Sequence, residues 1–230
     1  MTAHALQRDP IFPALRLIAG KKLSVDDIYP RLFDAILEQR IVPASRFTEE
    51  SLGETFGVSR SVIRRVLAKL SHQQVVILRP NQRAQVATPD RQQAQQILEA
   101  RRLTEMTVVR LACTHAKPEQ VRQLRELILM EQECLVRDQR AAAIRLSGEF
   151  HLKLAVIAGN GPLAQFLNSL VPLTSLVIAQ YETQPCNGCA WQEHQTIVDA
   201  LERRDIIQAQ AMMARHLDHL QHRLASYLTT

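Results

Sequence analysis

The segment from Ser51 to Val86, "SLGETFGVSRSVIRRVLAKLSHQQVVILRPNQRAQV", leaves little choice of fold: it has room for a short helix, a tight turn, a second helix and a hairpin. Gly57 supplies the permissive backbone that a tight inter-helix turn needs. Val58, Val62, Val66 and Leu70 recur every four residues as the buried stripe of the second helix. That spacing turns Arg60, Ser61, Arg64 and Arg65 outward. Val75 to Leu78 is β-branched and apolar, Pro80 and Asn81 are turn residues, and Ala84 to Val86 can return as a second strand. Upstream, Ile28, Leu32, Ile36 and Leu37 make one more amphipathic helix, and Pro43 marks a break before a helix start at Thr48. The sum is a winged helix-turn-helix. Between Gly53 and Arg83 six Lys or Arg stand against one acid, Glu54, the balance of a surface laid on phosphates. Double-stranded DNA is the expected partner. A solvated basic helix would explain the charge, but not the Gly turn, apolar spacing and basic face together.

This order of elements resembles the amino-terminal domain of the GntR family of bacterial transcription regulators. The family's first helix corresponds to "IYPRLFDAILEQRIVP", its second to "ESLGETFGVSR" and its recognition helix to "SRSVIRRVL". The resemblance implies that Ser59, Arg60, Ser61 and Arg64 contact DNA, with Arg60 and Arg64 on guanine edges or on phosphates. Arg65 stands where the family often has an acid, and the wing carries Gln82 and Arg83 where the family usually has a tip glycine. All three join the expected DNA surface.

Apolar residues make up 46% of the 230 and aromatics 4%, which suits Leu, Val, Ile and Ala helices packed on helices. The net charge of +5 is uneven: residues 1 to 90 hold 13 Lys or Arg against 9 acids, and the rest 15 against 14. The expected fold is mainly α, a winged helix-turn-helix followed by an all-helical bundle. Residues 1–24 read as a flexible arm, 25–87 as the DNA-binding domain, 88–92 as a linker and 93–230 as the helical domain. Within the last, helices are expected to open near Arg91, Pro118, Arg140, Gly161, Trp191 and Asp205. No apolar run reaches the ~20 residues a membrane span needs, and the first twenty positions lack the regions of a signal peptide, so a cytoplasmic location is expected.

The helical domain resembles the ligand-binding FCD domain of the FadR subfamily through "GEFHLKL", "EHQTIVDALERRD" and "AQAMMARHLDHL", which place His151, His194 and His216 at the family's metal-binding positions. The resemblance implies a divalent ion, zinc or nickel, with open sites for an effector, and a homodimer. Imidazoles from three helices can meet in a bundle core and do this. Ser147 stands where metal-binding members usually carry an Asp, so water, Glu149 or an effector carboxylate would have to complete the shell. His219 and His222 drift round the helix from His216 and are expected at the surface or a subunit contact. Arg101 matches an Arg that in relatives faces the effector cavity; the alternative is a helix-surface pair with Glu105.

The reading is a ligand-responsive regulator, a repressor released from its operator by a small carboxylate-type metabolite, and not an enzyme. Two rivals remain. Cys186-x-x-Cys189 could sense metal or redox state, against the plainer reading of a turn at Asn187 and Gly188. A three-His site with an open position is also the layout of hydrolytic zinc, with Glu149 or Glu193 as base.

Overall fold

The computed structural model describes residues 23–182 and 190–228. Among them the order is α1 (Val25–Leu37), β1 (Arg46–Phe47), α2 (Glu49–Phe56), α3 (Arg60–His72), β2 (Val76–Ile77), β3 (Ala84–Val86), α4 (Arg91–His115), α5 (Pro118–Val136), α6 (Arg140–Ile157), α7 (Gly161–Tyr181), α8 (Ala190–Glu202) and α9 (Ile206–Leu228). The expected arm before Val25 falls almost wholly outside the described residues, as do Cys186 and Cys189.

The head forms where the apolar spacing puts it. Ile28, Leu32 and Ile36 of α1 are buried against Val62, Ile63, Val66, Leu67 and Leu70 of α3. Ser24 caps α1 and Thr48 caps α2 through reciprocal side-chain and backbone hydrogen bonds. Gly57 ends α2 at φ 63°, the left-handed conformation the turn requires, and Val58 lies in that turn rather than on the helix. The hairpin of β2 and β3 is the wing. One strand escaped the sequence reading: β1 pairs antiparallel with β3, giving the order β1-β3-β2, and two residues are too few to show a period.

The six remaining helices open as their sequence signals ask, α4 behind an Asp90 cap inside the expected junction and α5 with Pro118 in its first turn. Arg204, itself at φ 60°, reaches back to the carbonyls of Cys113, Thr114 and Ala116 and closes the end of α4. The membrane expectation needs one correction: α7 is long and apolar enough to cross a bilayer by length and composition. Its Leu167, Val171, Leu176 and Val177 are instead buried, as befits the central helix of a bundle.

Head and bundle share one apolar cluster, in which Ala141, Leu173, Leu176 and Ala179 of α6 and α7 pack with the head's core. Polar ties line the seam. Arg145 of α6 donates to Asp34 of α1 at 2.7 and 3.3 Å, and Gln39 donates to the carbonyl of Ala179 at 2.8 Å. Tyr29 donates to Gln73, whose amide reaches Asn168 of α7.

Candidate functional site

Three helices of the bundle each carry one histidine inward. His151 of α6, His194 of α8 and His216 of α9 are buried, and one ligand nitrogen from each lies within 4.8 Å of the others. The rings pack closely: His151 and His216 stack at 5.1 Å, and His194 lies flat on Phe150 at 4.1 Å.

Each imidazole is fixed from behind by a carboxylate. Nδ1 of His151 meets Glu105 of α4, Nδ1 of His194 meets Glu131 of α5 at 2.9 Å, and Nδ1 of His216 meets Glu193 of α8 at 2.8 Å. With the ring proton donated to the carboxylate, Nε2 is left as a lone-pair nitrogen, the arrangement by which a carboxylate orients a metal-binding histidine. Nε2 of His194 is buried without a hydrogen-bond partner among the described residues, and Nε2 of His216 stands 3.2 Å from Nε2 of His151. Two lone pairs facing each other, beside a third with nothing to accept, fit a cation.

The buried charges agree with that geometry. Glu105, Glu131 and Glu193 are opposed by one buried cation, Arg101. Burial depresses the imidazolium forms of His151 and His216, the latter to about 4, so those rings are neutral near pH 7. Burial alone would raise the Glu105 carboxyl, but Arg101 and His151 outweigh it and hold it far below the usual range. Glu193, opposed in the same way by hydrogen bonds from His216 and His219, is held at about 2.

Other expectations are redrawn. Glu149 is turned away to Arg145 at 2.7 Å and neither completes the shell nor stands as a base. Glu193 is already engaged by two histidines. Arg101 does pair with Glu105, but both are buried, so the pair is no helix-surface contact; it backs the carboxylate that holds His151. His219 is half exposed and touches the outer oxygen of Glu193, and His222 is exposed with Nδ1 on the carbonyl of Asp218. The carboxylates escaped the sequence reading as partners of the rings. Beside the cluster a cavity of about 530 Å³ is lined by Glu131, Ser147, Ile178, Trp191, Arg140 and Arg223.

On the head, Ser59, Arg60, Ser61, Arg64 and Arg65 are exposed at the start of α3, and Gln82 and Arg83 are exposed in the turn of the wing. Asn81 makes that turn at φ 57°, the left-handed work a tip glycine would do. The local acid count, taken only from Gly53 onward, missed two neighbours: Glu50 binds Arg60, and Glu49 takes Arg64 through three hydrogen bonds.

Residues 24–86 match the family described as bacterial regulatory proteins, gntR family, and residues 96–219 match the FCD domain. The HTH-type transcriptional repressor NanR of Escherichia coli is 30% identical over 249 residues, covering 95% of this chain and 92% of its own. The Uxu operon regulator of Haemophilus influenzae is 25% identical over 194 residues, covering 77% and 72%. Among solved structures, E. coli McbR/YncC superposes with a TM-score of 0.72 at 18% identity, covering 89% of this chain and 98% of its own. A GntR transcriptional regulator from Rhodococcus sp. RHA1 gives 0.69 at 19%, covering 88% and 98%. At those identities the likeness is one of fold.

Proposed function

The chain belongs to the gntR family of bacterial regulatory proteins and carries an FCD domain, and on that premise we propose a cytoplasmic, homodimeric repressor that leaves its operator when a small carboxylate metabolite binds its helical domain. A ligand-responsive DNA-binding regulator is what its relatives make it, and the family matches and relatives are regulators rather than enzymes.

The observation that carries the effector side is the unpartnered Nε2 of His194 beside the facing Nε2 atoms of His151 and His216. His151, His194 and His216 would hold one divalent ion, zinc or nickel by donor type. Bound there, the ion would offer open coordination positions to an oxygen ligand. Glu105, Glu131 and Glu193 orient the three rings and Arg101 balances Glu105, while the uncharged Ser147 lines the cavity beside them, where the family resemblance calls for an Asp. A carboxylate-bearing effector suits that position. It would reach the cluster from the cavity between Trp191 and Ser147, whose wall includes Glu131, the partner of His194.

On the DNA side, Ser59, Arg60, Ser61, Arg64 and Arg65 would enter the major groove, with Gln82 and Arg83 of the wing against the neighbouring backbone. Two such heads in a dimer would address half-sites related by two-fold symmetry. Effector binding can release DNA only if it favours one arrangement of the heads over another, and the route available is α6, which bears both His151 and the Arg145 that grips Asp34 of the head.

The test is metal content of the purified, tag-free protein by mass spectrometry, alongside a His151→Ala, His194→Ala double variant. About one ion per chain, lost in the variant, supports the reading. No ion after zinc or nickel is offered would overturn its metal centre.

A further inference from the structure

The recognition helix does not present its arginines bare. Arg64 donates from Nε to both Glu49 oxygens at 2.9 and 3.2 Å and from Nη2 to Oε2 at 2.8 Å, so Glu49 takes one whole edge of the guanidinium. Arg60 is bound in turn by Glu50. Both acids stand in the first turn of α2, delivered there by the Thr48 cap and aimed across the Gly57 turn at the start of α3. Every one of these side chains is solvent-accessible, Glu49 least at 33%.

A guanidinium has two edges that can each make a two-point contact, the side edge of Nε with one Nη and the end edge of the two Nη groups. Glu49 occupies the side edge of Arg64. The end edge is left to a further partner on an exposed side chain, and such an edge can fork onto O6 and N7 of a guanine. A phosphate meets a different situation. It carries the same charge as Glu49 and Glu50, and for it the arginine has already been partly neutralised. The two acids therefore subtract from sequence-independent attraction more than from a directed base contact.

We propose that Glu49 and Glu50 are specificity-determining residues of the DNA interface: they orient Arg64 and Arg60 for base edges and weaken their hold on phosphate. The inference rests on the placement of Arg60 and Arg64 against DNA given under Proposed function.

The experiment uses the full-length protein, a random-sequence duplex and a randomised duplex library. The Glu49→Gln, Glu50→Gln double variant is expected to bind the random duplex more tightly, up to roughly fivefold per carboxylate. Its log affinity should fall more steeply with log salt, by up to about one unit of slope per carboxylate. Sequences selected from the library should show a weaker consensus than those the wild type selects. Unchanged or reduced affinity for the random duplex, with an unchanged consensus, would overturn the inference. Arg64→Ala separates the two layers. If it leaves all DNA binding intact, the placement of the recognition face fails; if it weakens binding while the double Gln variant behaves as wild type, only the role of the acids fails. Glu50 is exposed and Glu49 is only partly buried, so circular dichroism of the variants should match the wild type.

Discussion

His151 and His216 stand with their Nε2 atoms 3.2 Å apart, although each ring already gives its other nitrogen to a carboxylate. A hydrogen bond between two such nitrogens needs a proton on one of them, and burial works against that charge in both rings. The pair is poised to share an electrophile, and Nε2 of His194 supplies a third donor.

Glu131 is the carboxylate whose loss tests this most cleanly, because it touches His194 and no other ring of the cluster. Glu131→Gln keeps the shape and removes the charge behind the ring. Metal affinity, measured by competition with a chromophoric chelator, should fall roughly 10- to 100-fold with the helical content intact. Wild-type affinity in the variant would remove Glu131 from any role in holding the ion.

The metal-free protein should lose stability as pH falls from 6.5 towards 4. In that window the unfolded histidine takes up a proton and the buried one does not, so protonation favours the unfolded state and stability rises with pH. The slope is up to about 1.4 kcal/mol per pH unit for each depressed histidine. Below pH 4.5 Glu193, held at about 2, adds its own loss, since its stabilising charge is present above that range and disappears as it protonates. Thermal melts of chelator-treated protein at pH 7, 6 and 5 should show falling midpoints, and His216→Gln should flatten the trend. A flat wild-type profile would contradict neutral buried rings.

Gly148 lets α6 and α7 touch. A Cβ there would lie 3.1 Å from Ser175 Oγ and 3.2 Å from Val171 Cγ1, both on the buried face of α7. Gly148→Ala should therefore cost about 1–3 kcal/mol in urea unfolding despite alanine's better helix propensity. A stabilised variant would mean that the two helices separate freely at that point.

Much of the architecture was legible because it is periodic. The α3 stripe, the helix start at Thr48 and the turn at Gly57 each follow from local chemistry, and the three histidines followed from family motifs. What the sequence hid was pairing across helices. Glu131 continues the buried positions of Val121, Leu124 and Ile128, a register that could have flagged it, whereas Glu49 and Glu50 read only as favourable acids in a helix's first turn. Arg101 and Glu105 show the same gap: i,i+4 spacing predicts the pair but not whether solvent or protein surrounds it. Cys186 and Cys189 lie outside the described residues, and the sensing role weighed for them is untouched by any of these contacts.

The seam between head and bundle limits how such proteins can be recombined. Leu173, Leu176 and Ala179 belong to the same apolar cluster as Leu32 and Ile36, and Arg145 is spent on Asp34. A chimera that borrowed another head would leave Arg145 with Glu149 but without Asp34, and an uncovered patch on α7, unless the new first helix brought matching residues. The unit that can be exchanged between relatives is thus larger than the part that reads DNA.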